Sequence, residues 1–440
     1  MKLFTFKKGV HPPHGKYLSE KKEIVDIEPK DTLVFPMAQH IGAPAECLVK
    51  KGDRVLVGQK IGQAKGFISA NIHSSISGTV KKIDEVLLPS GNKAAAVIVE
   101  NDYQYEEIEF PKNKDYKEMS KEEIIEIVKE AGIVGMGGAC FPANVKLAPP
   151  PDKKIDSIVL NGAECEPYLT CDHRVMLEET DKIVEGLKII LHMYPEAKGY
   201  IGIENNKPDA IKAMEDAVKD IDSIFVMPLQ TKYPQGAEKQ LIYAVNKREV
   251  PVGRLPADVG CIVQNVSTVL DIYNAVVKGI PSIYNVVTVT GEAVADPKNM
   301  RIRMGMSFKE LVEECGGFKE DPEKVISGGP MMGMTISTLE VPAIKGCSGV
   351  LALTKAQAAL PQEDNCIRCG KCVDACPMNL IPSKLDSLSR RDENEEFEKW
   401  NGLACIECGC CSYGCPAKRH LLQSIRTTKR AVLAEKRKKK

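Results

Sequence analysis

The chain has 440 residues, of which 43% are hydrophobic and 27% charged, an ordinary globular composition that excludes a largely disordered protein. Lys plus Arg and Asp plus Glu both number 60, so the formal net charge is zero and a globally basic surface for nucleic acid is excluded. The longest stretch without a charged residue has 15 residues, fewer than the roughly 20 that a membrane-spanning helix needs.

The first residues carry no apolar core followed by a small-residue cleavage site, so no secretory signal is expected. We therefore expect a protein that faces the cytosol. In such a reducing compartment, the 16 cysteines favour metal ligation over disulfides.

Residues 1–110 are predicted to form a first domain that is built from short strands. Lys51–Gly62 and Ile76–Ile83 alternate apolar and polar residues between glycines. Their turns are similar to those of lipoyl and biotinyl carrier barrels. A carrier needs a lysine at the hairpin tip, where Phe67 stands instead, with Lys65 out of register. We expect a lipoyl-like barrel-sandwich scaffold without a prosthetic group.

A helix is predicted to begin at Ser120, because Glu123 completes a capping box, and to end at Gly132. The glycine-rich loop Gly132–Pro142 follows. Successive glycines let backbone N–H groups approach an anion, Lys146 supplies a cation for a phosphate, and Phe141 a face for an aromatic ring. The loop lacks the strand–loop–helix order of an ordinary dinucleotide fingerprint, so a loop that merely turns the chain remains an alternative.

Strands and helices then alternate, which predicts a Rossmann-like α/β layer within residues 111–280. Asn206 is the expected cap of the helix that begins at Asn206-Lys-Pro. The other predicted elements are strands at Asp156–Asn161, Tyr200–Glu204 and Ser223–Leu229, and a helix at Thr180–Met193.

Residues 281–353 are predicted to be rich in strands, and residues 354–440 to hold a cysteine module. A charged helical stretch is expected at Ser383–Lys399, followed by a basic tail at Lys429-Arg430 and 436–440. Such a tail is either a solvated face or a docking segment for acidic lipid or a partner.

Eight cysteines form two copies of the pattern C-x2-C-x2-C-x3-C-P, the bacterial ferredoxin run. In this run three close thiolates bind one [4Fe–4S] cluster, and the fourth reaches the neighbouring cluster. The ligands of the first cluster are therefore expected to be Cys366, Cys369, Cys372 and Cys415. Those of the second are expected to be Cys405, Cys408, Cys411 and Cys376.

The alternative interpretation is a pair of structural zinc sites, although zinc sites favour two separated C-x2-C knuckles. The remaining eight cysteines have no metal-ligand spacing and are expected to be small buried hydrophobic residues. Cys410 stands between two predicted ligands and is an alternative ligand.

The glycine-rich loop with Phe141, Pro142 and Lys146 resembles the flavin-binding loop of the NADH-binding flavoprotein subunit of respiratory complex I. Asn161–Pro167, followed by Asp172 and Arg174, resembles the next motif of that family. Gln235–Glu238 and Gln264–Thr268 fall where its later flavin-contacting segments would lie. With Gly9–Pro13, Lys16, the barrel, Gly328–Gly333 and the doubled ferredoxin motif, the whole layout resembles the RnfC family of Rnf electron transport complexes.

The resemblance implies a multidomain α/β protein with four parts. They are a barrel-sandwich domain at 1–110, a Rossmann-like FMN/NADH domain at 111–280, a β-grasp (SLBB-type) domain at 281–353, and an α-helical double [4Fe–4S] ferredoxin domain at 354–440. It also implies non-covalent FMN with NAD(H) stacked on it. This sequence departs from the complex I pattern at Ala163, where that family has an acidic residue, and at Gln264, where it has asparagine.

Glu164 is the implied catalytic residue, lining the nicotinamide side with Phe141. The cofactor-binding residues implied by position are Gly132, Gly135, Gly137, Gly138, Phe141, Lys146, Asn161, Glu164, Glu166, Gly236, Gln264 and Asn265. A purely structural role is the alternative for Glu166.

The implied function is that of the NAD-facing subunit of a membrane-bound ferredoxin:NAD+ oxidoreductase that couples electron transfer to cation translocation. Its partners would be NADH or NAD+, the other subunits of the complex and, indirectly, ferredoxin, with no nucleic acid. It would lie peripherally on the cytoplasmic face of the membrane. The alternatives are a soluble cobalamin reductase-like flavoprotein and a non-catalytic electron-relay or docking subunit.

Overall fold

The computed structural model describes residues 2–438. The end of the basic tail, residues 439–440, lies outside the described residues, whereas the preceding part belongs to a long C-terminal helix.

The first domain is a pair of small antiparallel sheets. The first sheet has the order β2-β8-β7-β4 and the second β3-β5-β6. Their strands are β2 (Thr32–Pro36), β3 (Glu46–Cys47), β4 (Arg54–Val55), β5 (Lys60–Gln63), β6 (Ile72–His73), β7 (Gly78–Leu87) and β8 (Lys93–Asn101). Phe67, at the tip between β5 and β6, is 80% exposed.

The second domain contains one parallel sheet with helices between its strands. Its strands are β9 (Ser157–Gly162), β10 (Lys198–Glu204), β11 (Ile224–Leu229) and β12 (Cys261–Asn265). Its helices are α1 (Lys121–Glu130), α2 (Ala143–Lys146), α3 (Cys171–Glu178), α4 (Thr180–Met193), α5 (Pro208–Val218), α6 (Glu238–Asn246) and α7 (Val266–Lys278).

Both faces of this sheet are covered, as expected for parallel strands. Ile158 and Leu160 of β9 belong to a core shared with α4 and α7. Val159, which points to the other face, packs in a second core with Leu241 of α6. The strand order is β11-β10-β9-β12. After β9, the chain adds β10 and β11 on one side of that strand and then returns to add β12 on its other side.

The third domain is built on a six-stranded mixed sheet in the order β1-β14-β13-β17-β15-β16. Its elements are β1 (Ile24–Asp26), β13 (Tyr284–Thr290), β14 (Lys298–Arg303), α8 (Phe308–Glu314), β15 (Lys324–Ser327), β16 (Met334–Thr335) and β17 (Gly349–Leu353). The strand β1 comes from the N-terminal segment and pairs in parallel with β14. One continuous core joins this domain to the barrel, with Phe35 beside Val287 and Phe308.

The last domain is helical. Its helices are α9 (Lys355–Ala358), α10 (Lys371–Ala375), α11 (Pro382–Ser389), α12 (Asn394–Lys399), α13 (Cys410–Tyr413) and α14 (Leu421–Lys438). The buried Asp386 of α11 accepts hydrogen bonds from Ser424 Oγ at 2.6 Å and Arg419 Nη2 at 2.8 Å. This carboxylate therefore fastens α11 to the segment that leads into α14.

Most predicted elements are confirmed. The capping box of Ser120 and Glu123 starts α1, and the helix at Thr180–Met193 has the predicted bounds. Two predictions are wrong in detail. The cap of α5 is Lys207 instead of Asn206, because Pro208 takes the first helical position. The charged stretch Ser383–Lys399 is two helices, since the chain leaves helical geometry at Asp392, where φ is +55°.

Candidate functional site

The carboxyl ends of β9 and β12 form the candidate site. Asn161 and Asn265 are register partners at the ends of these adjacent parallel strands. Because β10 and β11 lie on one side of β9 and β12 on the other, this edge is the topological switch point of the sheet. In open α/β sheets, ligands bind in the crevice outside the strand ends at that point.

The glycine-rich loop reaches this crevice by its middle residues. Gly135 N donates to Phe141 O at 2.8 Å, which closes the loop on itself. Gly137 has a φ of +67°, and a side chain there would begin 3.1 Å from Asn265 Nδ2. Gly138 is exposed, and a Cβ there would meet nothing within 4 Å. Gly137 and Gly138 thus leave backbone open to a ligand beside Asn265.

Gly132 has a different setting. Its φ is +65°, and a Cβ there would lie 2.2 Å from Asn71 O in the barrel. Its own carbonyl accepts a hydrogen bond from the buried Lys345 Nζ at 2.6 Å. The structure therefore gives Gly132 a role at the junction of three domains, and a cofactor contact for it stays a prediction.

Lys146 lies on α2 near the end of β12. Its Nζ donates to Glu238 Oε1 at 2.8 Å and to Val263 O at 3.3 Å. The side chain is 30% exposed, so the ammonium remains accessible to a further anion. A phosphate would share this cation with Glu238. The aromatic residue Phe141, one turn earlier, is half-buried.

Asn161 and Gly236 are brought together, as the sequence suggested. Asn161 Nδ2 donates to Gly236 O at 2.8 Å, and Asn161 Oδ1 accepts from Ala163 N at 3.2 Å. Gly236 N in turn donates to Cys165 Sγ at 3.2 Å. These bonds fix the loop that leaves β9.

Gln264 carries the clearest sign of a missing ligand. It is 1% exposed, and neither its amide nitrogen nor its amide oxygen has a hydrogen-bond partner. Leaving buried polar groups unpaired costs about 1–3 kcal/mol each. An amide presents one donor and one acceptor side by side, which matches a heterocyclic edge with alternating N–H and C=O groups, such as the pyrimidine edge of a flavin. The residues at this crevice therefore fit FMN.

Glu164 lies in the loop after β9 with a left-handed φ of +45°. Its Oε1 accepts from Asp172 N, in the first turn of α3, at 2.7 Å. Its Oε2 is buried and has no hydrogen-bond partner, although Lys16 Nζ lies 3.7 Å away. One carboxylate oxygen is thus held by a helix N-terminus and the other is left as an acceptor.

Asp172 was absent from the predicted set and belongs to the site. Its Oδ2 accepts from Asn265 Nδ2 at 2.7 Å and its Oδ1 from Ser267 Oγ at 3.1 Å. Burial raises the pKa of the Asp172 carboxyl to about 7, and the nearby Glu164 charge adds to this rise. Its place eight residues after Glu164 was visible in the sequence, but its link to Asn265 was not.

The Glu166 side chain is engaged elsewhere. Its carboxylate accepts from Met332 N at 2.8 Å and from Met331 N at 3.2 Å, both in the loop at residues 328–333. Burial raises the pKa of Glu166 to about 7. This carboxylate holds the third domain against the second, and its predicted ligand contact remains untested.

Five cysteines line one cavity of the last domain, and four of them are Cys376, Cys405, Cys408 and Cys411. This is the ligand set predicted for the second cluster, with its fourth thiol taken from the other motif. Cys410 also lines the cavity, but its Sγ lies 3.8 Å from Tyr233 O, within donating distance. The cavity therefore brings together the four thiols of the predicted set.

The two cysteine motifs repeat one backbone conformation. Arg368 and Glu407, which precede the second cysteine of each motif, have φ values of +55° and +58°. Gly370 and Gly409, which follow it, both have a φ of +79°. Of the first predicted set, Cys372 and Cys415 pack together, whereas Cys366 and Cys369 are exposed. Within residues 2–438, no three His, Cys, Asp or Glu side chains are arranged to hold a single metal ion.

The cavity of the second set adjoins the loop that carries Gly236. Tyr233 and Val10 pack with Cys408 and Cys410 in one apolar group, against which Cys165 is placed. Gln240 Nε2 of α6 lies 3.4 Å from Pro377 O and donates to it. Cys165 and Tyr233 therefore connect the loop that holds Gly236 to the wall of the cavity.

None of the helices in the described residues is long and apolar enough to cross a membrane.

Four family models match the chain in order. Residues 4–104 match the RnfC barrel sandwich hybrid domain, and residues 128–274 the Nuo51 FMN-binding domain. Residues 286–335 match the SLBB domain, and residues 365–419 the 4Fe-4S dicluster domain. These matches confirm the predicted fold class of four unlike parts, with domains for FMN and for two 4Fe–4S clusters.

Curated relatives match over almost the entire chain. The C subunit of the proton-translocating ferredoxin:NAD(+) oxidoreductase complex of Clostridium ljungdahlii is 49% identical over 429 residues, which are 97% of this chain and 94% of that protein. Its Na(+)-translocating counterpart from Acetobacterium woodii is 46% identical over 437 residues, or 99% and 98% of the two chains. The C subunit of the ion-translocating oxidoreductase complex of Rhodobacter capsulatus is 38% identical, covering 88% and 75%.

Among solved structures, an NAD+-reducing [NiFe]-hydrogenase in its air-oxidized state is similar with a TM-score of 0.51. The match has 16% identity and covers 74% of this chain and 64% of that one. At this identity the likeness concerns the fold alone.

Proposed function

Because this chain belongs to the RnfC family of ion-translocating ferredoxin:NAD(+) oxidoreductase complexes, we propose that it passes electrons between NAD(H), FMN and two [4Fe–4S] clusters. The family and the FMN and dicluster domains make it an oxidoreductase subunit. The alternatives of a soluble cobalamin reductase-like enzyme and of a non-catalytic relay are not favoured. Our proposal keeps the domain division at 1–110, 111–280, 281–353 and 354–440.

FMN belongs at the switch point in this proposal, with each nearby residue in a separate role. The exposed backbone of Gly137 and Gly138 approaches the phosphate, and Lys146 supplies the cation. The unpaired amide of Gln264 meets the ring edge, and Asn161 and Gly236 shape the wall beside it. When bound, the flavin exchanges electrons in pairs with a nicotinamide and singly with an iron–sulfur cluster.

Glu164 serves the nicotinamide side. Its Oε1 is fixed by the first turn of α3, so the direction of Oε2 is set before any ligand arrives. That oxygen accepts a hydrogen bond from NAD(H), and the residue thereby orients the nucleotide for hydride transfer. Fixing two reactants in a productive geometry is worth several orders of magnitude in rate.

The clusters have an order along the path. The cluster of Cys376, Cys405, Cys408 and Cys411 lies on the flavin side, because its cavity adjoins Tyr233 and Cys165. Cys366 and Cys369 of the other set are exposed, so they would hold their cluster near the surface. Held there, that cluster would supply the electron exchange with other subunits of the complex and, through them, with ferredoxin. We place this subunit peripherally on the cytoplasmic face of the membrane, where cation translocation is the work of the whole complex.

The observation that carries the proposal is the adjacency of the switch-point site and the four-cysteine cavity. To test it, we would purify the chain anaerobically with FMN and about eight irons, the content of two cubane clusters. Stopped-flow absorbance after mixing with NADH should show the flavin bleaching first and the clusters afterwards.

Cys376→Ser is the informative variant, and Cys410→Ser its matched control. Cys376→Ser should retain about four irons, and NADH should still bleach its flavin, but the remaining cluster should be reduced far more slowly. Cys410→Ser should keep both clusters. Wild-type flavin that NADH does not bleach would contradict the nicotinamide site. A remaining cluster reduced at the wild-type rate in Cys376→Ser would contradict the order of the clusters.

A further inference from the structure

The N-terminal arm, residues 4–20, crosses the site without belonging to either predicted cofactor domain. Phe4 N donates to Pro228 O at 2.9 Å, and Val10 exchanges two backbone hydrogen bonds with Tyr233. Tyr168 N donates to His14 O at 2.7 Å, which brings the arm under the loop that carries Glu164. The motif Gly9–Pro13 with Lys16 thus has a definite place that the proposed function has not used.

Lys16 is the arm's contribution to the site. The residue is 3% exposed, and its Nζ donates to Glu166 O at 3.0 Å and to Leu169 O. The same ammonium lies 3.7 Å from Glu164 Oε2, within ion-pair distance but beyond a hydrogen bond. Lys16 therefore neutralises Glu164 without occupying its free oxygen.

The loop between these contacts is held from two sides. Lys207 Nζ donates to Ala163 O at 2.7 Å, just before Glu164, and Lys16 holds Glu166 O just after it. Glu164 itself keeps its left-handed φ of +45° between the two anchors. Lys207 is 1% exposed and lies 3.7 Å from Glu204 Oε2, so its charge is already shared with another carboxylate.

Other ionisable groups also face Glu164 and set the charge that Lys16 must balance. Asp172 and Cys171 of α3 lie beside it, as do Glu204 at the end of β10 and Lys207 at the cap of α5. Two of these neighbours are carboxyl groups, and Lys207 already pairs with one of them, Glu204. Lys16 is the cation within ion-pair distance of Glu164 Oε2.

We propose that Lys16 is a positioning residue of the nicotinamide site, which holds the loop of Glu164 by its backbone and lies beside Oε2 without bonding to it, so that this oxygen can accept a hydrogen bond from NAD(H). This inference rests on the proposed role of Glu164. Because Lys16 acts through Glu164, its loss should weaken nucleotide binding only while the Glu164 carboxyl group is present.

The test measures equilibrium binding of 1,4,5,6-tetrahydro-NAD, which cannot transfer a hydride, to the FMN-loaded chain by calorimetry. Lys16→Met should raise the Kd about tenfold or more. The double variant Lys16→Met/Glu164→Gln should bind within about threefold of Glu164→Gln alone, because Lys16 acts through the Glu164 carboxyl group. Lys8→Met is the matched control, because Lys8 lies on the same arm but donates to Val373 O in the last domain.

Unchanged binding in Lys16→Met, or a full further loss of affinity when Lys16→Met is added to Glu164→Gln, would overturn the inference and leave the proposed function standing. Failure of wild type to bind the analogue would instead contradict the nicotinamide site itself. If Lys16→Met does not fold, the double variant decides, because both charges are then removed. Charge balance predicts that the double variant folds, whereas a role limited to holding carbonyls predicts that it does not.

Discussion

Replacing Gly132 with alanine should destabilise the protein without touching the flavin crevice. The φ of +65° costs an L-residue about 1–2 kcal/mol. The new Cβ would begin 2.2 Å from Asn71 O and 2.8 Å from Lys345 Nζ, so the barrel or the loop must move. Overpacking of this kind adds about 1–3 kcal/mol. The gain of about 0.4–1 kcal/mol from a stiffer unfolded chain offsets only part of this.

The sum is a loss of about 3 kcal/mol in the free energy of unfolding. For a domain of about 150–250 residues, this lowers the midpoint of thermal unfolding by roughly 6–12 °C. Gly138→Ala is the matched comparison in the same loop, since its Cβ would meet nothing within 4 Å. That variant should stay within about 0.5 kcal/mol of wild type.

The two variants should also differ in their affinity for FMN. Gly138→Ala should raise the Kd for FMN at least about tenfold, or about 1.4 kcal/mol, because a methyl group then stands where the ligand approaches. The assays are thermal unfolding of the flavin-free protein and titration of flavin fluorescence. A wild-type unfolding midpoint in Gly132→Ala would refute the packing at the domain junction. Wild-type FMN affinity in Gly138→Ala would refute the position of the ligand.

Two further predictions concern charges at the site. Lys146→Ala should weaken FMN binding about ten- to a hundredfold, since a charge-assisted bond is worth about 1.5–3 kcal/mol. Glu238→Gln should not weaken it. Equal affinities of wild type and both variants in fluorescence titration would contradict this. The pKa of Asp172 is raised to about 7, so between about pH 4 and 7 the folded protein holds a proton that the unfolded chain has lost. The stability of the folded protein therefore falls as pH rises through that window. The thermal unfolding midpoint of Asp172→Asn should therefore rise relative to that of wild type between pH 5 and 7 and stay level above pH 7. A difference between the two midpoints that does not change with pH would exclude this ionisation.

What the sequence predicted correctly rests on local pattern. The capping box of Ser120 and Glu123 lies within one turn of helix, and each cysteine motif spans only a few residues. Both can therefore be recognised from the sequence alone. The alternation of strands and helices likewise predicted the Rossmann-like layer, whereas the strand order that makes Asn161 and Asn265 neighbours was not predicted.

What the sequence did not predict depends on distant contacts. Lys146 and Glu238 are 92 residues apart, and Asp172 and Asn265 are 93 apart, so neither pairing leaves a local signal. Glu166 was expected either to contact the ligand or to be purely structural. Its carboxylate instead binds backbone N–H groups 165 and 166 residues further along the chain.

The N-terminal arm also constrains the order in which the molecule can be completed. Its partners are Pro228 and Tyr233, then Asn299 of β14, which donates to Ser19 O, and finally Ala375, to whose carbonyl Gly9 N donates. The arm is synthesised before all of these partners, so it finds its place only after most of the chain has been translated. Domains can fold one by one during synthesis, but contacts between distant segments form late. A bulky fusion before Phe4 would therefore hinder the last step of assembly, at the seam where the flavin and ferredoxin domains meet.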